Sequence, residues 1–226
     1  MDGILIVDKP QGMTSHDVVD LIRRKFAVKK CGHAGTLDPM ATGVLVMLLG
    51  KYTKFSARFL GEDKEYTATM VLGATSDTGD ACGKITPYGE AGGVTREKAD
   101  TVFDKFSGEI EQIPPMYSAV KVNGRKLYEL ARKGKSAEVP PKRVHIKSIK
   151  ITRFAPPEID FVVTCSKGTY IRQLAADIGA SIGCGAYLSA LRRTRSGEFG
   201  MNEALSVEQL KVSGKDIIES RLIKDI

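Results

Sequence analysis

The 226-residue sequence is narrowed first by what it lacks. No run of eighteen or more apolar residues occurs, so no membrane-spanning helix is expected. The four cysteines, Cys31, Cys82, Cys165 and Cys184, include no Cys-x-x-Cys pair, and only His33 stands close to one of them. That spacing suits neither zinc nor a disulfide framework, so no metal is expected and all four are read as reduced thiols of a cytoplasmic protein. No Gly-x-x-x-x-Gly-Lys-Ser/Thr string is present, which excludes a phosphate-loop nucleotidase. No internal repeat or low-complexity segment occurs. No basic leader precedes Ile4-Leu5-Ile6-Val7, and no signal peptide is expected.

What is present points to a globular, basic chain. This length buries a substantial core and fits one large domain, or one with a small appendage. Lys and Arg number 34 against 27 Asp and Glu, a net charge of +7 that favours a polyanionic partner. The most informative segment is Gly32-His33-Ala34-Gly35-Thr36-Leu37-Asp38-Pro39-Met40-Ala41-Thr42-Gly43. Its glycines let the backbone turn tightly and approach a ligand, and Asp38 before Pro39 marks a turn. The apolar run Val44 to Leu49 then reads as a buried strand. A carboxylate is thus offered on a tight loop where a strand begins, although spacing alone also allows Asp38 simply to close the turn.

Strands and helices alternate elsewhere. Ser15 reads as the N-cap of a helix through Phe26, with Val18, Val19, Leu21, Ile22 and Phe26 on one face. Glu65 to Leu72 alternates as a strand, followed by a polar, turn-rich loop from Thr75 to Gly83. Thr95 opens a second helix carrying Ala99, Val102 and Phe103. Val144 to Phe154 and Ile159 to Cys165 read as strands joined at Pro156-Pro157. Leu174 to Ile182 reads as a helix ending at Gly183. Ser206 to Lys211 and Lys215 to Ile226 read as two short helical segments. The pattern predicts an α/β (α+β) fold with a mixed, mostly antiparallel sheet.

Residues 32–43 resemble the catalytic-loop motif of the tRNA pseudouridine synthase B family, enzymes that isomerise the T-loop uridine at tRNA position 55. Five further segments resemble that family in order. They are Gly3 to Ser15 with its Lys9-Pro10 turn, Lys64-Glu65-Tyr66 with Thr75 to Asp80, and Pro114 to Lys121 with Leu127-Tyr128, followed by Cys165 to Arg172 and Leu191 to Gly197. The resemblance implies the pseudouridine synthase fold, a large sheet with a central catalytic cleft flanked by helices and loops. It implies a catalytic domain over residues 1–205. The chain departs from the family in a short helical tail over 206–226, where many relatives continue into a small C-terminal RNA-binding domain that is not expected to be complete here. No cofactor is implied. The expected partner is the T-stem-loop of tRNA, and a monomer is expected.

The same resemblance implies roles. Asp38 matches the catalytic aspartate, which attacks C1′ or C6 of the nucleotide or removes the C2′ proton; the residues leave these open. Arg172 matches the arginine that pairs with it through a two-pronged hydrogen bond. Tyr66 matches the tyrosine that stacks on uracil and helps remove the C5 proton. Tyr170 and Leu191 match pocket-lining positions, and Lys9 a phosphate contact or loop buttress. His33 matches a histidine that fills the gap left by the flipped nucleotide. Residues 121–143 match an RNA clamp, in which Lys121, Arg125, Lys126, Arg132 and Lys133 contact phosphates. The last four are read as recurring at helical spacing. Two other functions fit in part: the catalytic subunit of a guide-RNA-dependent pseudouridine synthase, and a non-catalytic tRNA-folding chaperone.

Overall fold

The computed structural model describes residues 1–122 and 124–224. Asn123 in the basic stretch, and Asp225 and Ile226 at the end of the expected tail, lie outside the described residues. The chain opens with β1 (Gly3–Lys9), α1 (Ser15–Phe26), β2 (Cys31–His33) and β3 (Thr42–Leu49). A 3-10 turn over Gly50–Phe55 leads into α2 (Ser56–Gly61) and β4 (Lys64–Leu72). Next come β5 (Ala74–Ser76), β6 (Ile85–Pro87), α3 (Arg96–Lys105) and β7 (Gly108–Gln112). The basic stretch holds β8 (Lys121–Val122), β9 (Arg125–Lys126) and α4 (Leu127–Ala131). There follow β10 (Lys142–Ala155), β11 (Glu158–Cys165), α5 (Ile171–Ile182), β12 (Ala186–Ser196) and β13 (Phe199–Gly200). Last are β14 (Leu205–Ser206), α6 (Val207–Val212) and α7 (Lys215–Ser220). Ten strands belong to a mixed sheet in which antiparallel neighbours predominate, in agreement with the expected class.

The chain divides into two compact units: Met1–Tyr66 with Leu191–Ile226, and Thr67–Ala190. In the first, β1 runs antiparallel to β3 along its length and parallel to β14 at Val7 and Asp8. Val44 to Leu49 are all buried, which explains why this strand reads as an unbroken apolar run instead of an alternating one. Ile4, Ile6, Val44, Val46 and Leu48 pack with Tyr52, Phe59 and Phe199. Each such aliphatic side chain contributes about 1.5–3 kcal/mol by leaving water. Helix α1 buries Val18, Val19, Ile22 and Phe26. Its N-cap is Thr14, not Ser15: the Thr14 hydroxyl accepts from the Asp17 amide in a capping box. Ser15 is one residue inside, and its hydroxyl is used elsewhere.

In the second unit, β10 and β11 form the expected hairpin and β7 pairs with the start of β10. Strand β11 alternates, with Ile159, Phe161, Val163 and Cys165 buried. Phe161 meets Phe103 of α3 edge-on, with centroids 5.5 Å apart. Helix α5 starts three residues earlier than its apolar spacing suggests, because the Leu174 amide already bonds to the Tyr170 carbonyl. Arg172 therefore lies in its first turn. The basic stretch also departs from expectation. Only Leu127 to Ala131 are helical; Lys121, Arg125 and Lys126 are in a two-stranded hairpin, and Arg132 and Lys133 follow the helix. The sequence Asn123-Gly124 is a strong hairpin-turn signal, and Gly124 has φ +78°.

Candidate active site

In the first unit, the loop between β2 and β3 presents Asp38 half-buried. The residues on either side are fastened from outside the loop. Buried Ser15 accepts from the Leu37 amide at 2.9 Å and donates to the Leu37 carbonyl at 3.2 Å. The Gly12 amide donates to the Pro39 carbonyl at 2.8 Å. The Asp38 carbonyl accepts from Ala41 at 3.0 Å, closing the turn that Pro39 initiates. Gly43, at φ +101°, lies against the backbone of Arg193, whose carbonyl oxygen would be 2.2 Å from any added Cβ. The Asp38 backbone is thereby set before any ligand arrives.

Two buried cations stand near this loop. Lys9 is fully buried and donates from Nζ to the carbonyls of Pro10 (2.9 Å) and Met13 (2.7 Å). Burial pulls its pKa down to about 8; Asp38 opposes that shift and Arg193 adds to it. Arg193 is 1% exposed and donates from Nε to the Val44 carbonyl (2.7 Å) and from Nη2 to the Gly35 carbonyl (3.0 Å). His33 is held neutral near pH 7, because burial, then Arg193 and His16, lower its pKa. Its Nδ1 is buried without a hydrogen-bond partner among the described residues.

Tyr66 and Leu191 are buried in the same unit, on β4 and β12. The two residues before Tyr66 are anchored. Buried Lys64 caps α2 through the carbonyls of Phe59, Leu60 and Glu62 at 3.2, 3.0 and 2.5 Å. Thr194 donates to the Glu65 carboxylate at 2.7 Å.

Arg172 and Tyr170 lie in the second unit. Arg172 is 4% exposed and donates to the carbonyls of Thr78 (2.6 Å) and Tyr117 (2.9 Å). It also pairs with the Asp80 carboxylate at 3.7 Å. Asp80 in turn accepts from the Thr78 hydroxyl (2.7 Å) and the Cys82 amide (3.0 Å). Gln112, 2% exposed, holds Tyr170 through both its backbone groups, at 2.8 and 3.1 Å.

The structure thus gathers Lys9, His33, Asp38, Tyr66 and Leu191 in one unit, and Tyr170, Arg172 and the basic stretch in the other. Ser15, Asp80, Gln112 and Arg193 are the supporting residues that sequence reasoning missed. Ser15, Asp80 and Arg193 fall inside the recognised motifs, which was the available signal.

In the basic stretch Lys121, Arg125, Arg132 and Lys133 are exposed and Lys126 is half-buried. Lys126 and Arg132 both sit over the Tyr128 ring, 5.4 and 5.5 Å from its centroid. Among the described residues no three His, Cys, Asp or Glu gather as a metal site, and no helix is long and apolar enough to cross a membrane. No cysteine is in a disulfide, and burial pushes the Cys31 thiol up to about 12.

Comparison with known proteins adds the family. Residues 23–171 match the N-terminal domain model of the TruB family of pseudouridylate synthases, and residues 172–222 the C-terminal domain model of tRNA pseudouridylate synthase B. The tRNA pseudouridine synthase B of Syntrophotalea carbinolica is 49% identical over 94% of this chain and 69% of its own length. That of Opitutus terrae is 45% identical over 99% of this chain and 92% of its own. That of Chlamydia muridarum is 48% identical over 96% and 90%. Among solved structures, a Cbf5-Nop10-Gar1 complex contains a chain that is 34% identical, with a TM-score of 0.73. An H/ACA RNP bound to a substrate RNA containing 2′-deoxyuridine contains one that is 31% identical, with a TM-score of 0.69. Both cover 92% of this chain, which spans about half of theirs, 53% and 51%. With most of its length matched by the family model and by relatives at this identity, the chain belongs to the TruB family of pseudouridylate synthases.

Proposed function

We propose that the protein isomerises uridine 55 in the T-loop of tRNA to pseudouridine. The reaction detaches uracil from C1′, turns it and reattaches it through C5, with no redox change and no energy input. It needs a carboxylate, a group to orient it, and a pocket that holds the free base and excludes water. Asp38 supplies the carboxylate, as nucleophile at C1′ or C6 or as base at C2′. Arg172 orients it, since a planar guanidinium fixes a carboxylate plane as an ammonium does not. Tyr66 stacks on the flipped base and serves the C5 proton, with Tyr170 and Leu191 lining the pocket. Neutral His33 is flat and uncharged, suited to the gap the flipped nucleotide leaves. Lys9 buttresses the loop. Lys121, Arg125, Lys126, Arg132 and Lys133 contact phosphates of the T-stem-loop.

The reading takes residues 1–205 as catalytic and 206–226 as an appended tail, in a cytoplasmic monomer that uses no cofactor or metal. The observation that carries it is the residue-level match of the fastened Asp38 loop in a chain 45–49% identical to enzymes named for this reaction. The lower identity, 34% and 31%, to chains of the Cbf5-Nop10-Gar1 complex and the H/ACA RNP favours the stand-alone enzyme. Incubation with unmodified tRNA, followed by chemical mapping of pseudouridine through reverse-transcription stops, tests the proposal. A single stop at position 55 is expected. Modification elsewhere only, or none without an added guide RNA, would overturn it.

A further inference from the structure

We propose that Arg193 is a positioning residue for Asp38, holding the loop from Gly35 to Val44 closed around it. The inference rests on Asp38 being the catalytic carboxylate. An ionised guanidinium is costly to bury, so a fully buried arginine needs strong compensating partners. Arg193 finds them in two carbonyls that bracket Asp38 in sequence, those of Gly35 and Val44. Its planar fork serves both at once, with Nε on one and Nη2 on the other, and a lysine ammonium has no such reach. The backbone of the same residue closes the loop's end: Arg193 is in register with Gly43 on β3, and Gly43 packs directly on its carbonyl.

The β12 strand repeats this arrangement on either side of Arg193. Arg192 pairs with Asp8, next to Lys9, at 2.8 Å, and Thr194 bonds Glu65, next to Tyr66. Three consecutive residues thus fasten the neighbours of three proposed site residues. Arg193 has the greatest leverage, because it alone is buried and grips both ends of a loop. Ser15 and Gly12 hold the middle of that loop, so Arg193 governs the angle at which its two arms enter.

The test is Arg193→Lys, which keeps the charge and loses the fork, beside Gly35→Ala, which strains the loop backbone at the residue whose carbonyl Arg193 holds. Gly35 has φ +107°, and an added Cβ would stand 3.4 Å from Arg193 Nη1. Both variants are assayed on unmodified tRNA, with rates normalised to the folded, tRNA-binding fraction. A misplacement near 1 Å costs about 100-fold in kcat, and that fall is expected with Kd for tRNA within about 3-fold, since phosphate contacts dominate affinity. A role in folding alone would lower Tm and the folded fraction and leave the normalised kcat unchanged, which would overturn the proposal. If Arg193→Lys does not fold, Gly35→Ala decides alone. Asp38→Asn runs alongside: full turnover by that variant overturns the assignment of Asp38, whereas its inactivity beside wild-type kcat in the other two overturns only the role of Arg193.

Discussion

Gly35, Leu37, Pro39 and Gly43 of the Asp38 loop are each fastened by a residue from elsewhere in their unit. Residues 121–135 of the basic stretch are fastened within themselves and to the few residues just before them: the Leu127 amide bonds to the Val120 carbonyl, Tyr128 to Ser118, Lys133 to Leu130 and Lys135 to Leu130. Leu127 is its one fully buried anchor between 121 and 135 among the described residues. The two regions suit different tasks. A reacting carboxylate must be correct to a fraction of an ångström, so its surroundings are rigid and its supports act together. Phosphate recognition sums many small charge contacts, so exposed side chains on short elements suffice. Substitutions should therefore act on kcat in the first region and on affinity in the second.

The sharpest break between them is Asp38→Asn, expected to lower turnover on the order of 10⁴-fold with Kd for tRNA nearly unchanged. Rapid-quench tritium release and filter binding on the same preparation check this. Tyr66→Phe should follow, with a loss of about 10²–10³-fold in rate and little in binding, because the ring still stacks and the hydroxyl is gone. Ser15→Ala removes both the donor and the acceptor that hold Leu37. It should cost about 1–3 kcal/mol of stability and lower kcat, measured by urea unfolding and single turnover. Neutralising Arg125, Lys126, Arg132 and Lys133 one at a time should leave kcat intact at saturation. Each should raise Kd a few-fold and flatten the dependence of log Kd on log salt by roughly 0.7–0.9 per lost phosphate contact.

A further effect is expected on the pH dependence of stability. Lys9 binds its proton less tightly when folded, near pH 8, than in the unfolded chain, near 10.5. Between those values the unfolded chain binds more protons, so the penalty for burying Lys9 shrinks as pH rises. The stability difference between Lys9→Met and wild type should fall from pH 7.5 to pH 9.5 in denaturant titrations.

Local signals were legible where short-range physics decides the outcome. The unbroken Val44–Leu49 run, the Thr95 cap of α3 and the glycine that ends α5 all stand as the sequence suggests. The Thr14 cap was legible in the Thr14-x-x-Asp17 spacing of a capping box, whereas the tie of Ser15 to Leu37, twenty-two residues away, was not. A short helix does form in the basic stretch, but Arg125 and Lys126 pair as a strand with Lys121 and Val122, because lysines and arginines can mimic helical spacing by chance. The partners of Arg172 lie 94 and 55 residues off, and those of Arg193 149 and 158. No window on the sequence reaches that far.

The unit that holds Asp38 is assembled from both ends of the chain, and this has a consequence for how it is made. Strand β1 pairs with Leu205 and Ser206, and Ile4 bonds with Ile223. Translation at roughly 5–20 residues per second leaves β1 waiting on the order of 10–40 s for these partners. Residues 67–190 emerge in that interval as a unit of their own. A nascent chain stopped before residue 191 carries the Asp38 loop without the arginine that grips it, so catalytic competence waits until the strand that carries Arg193 has been made.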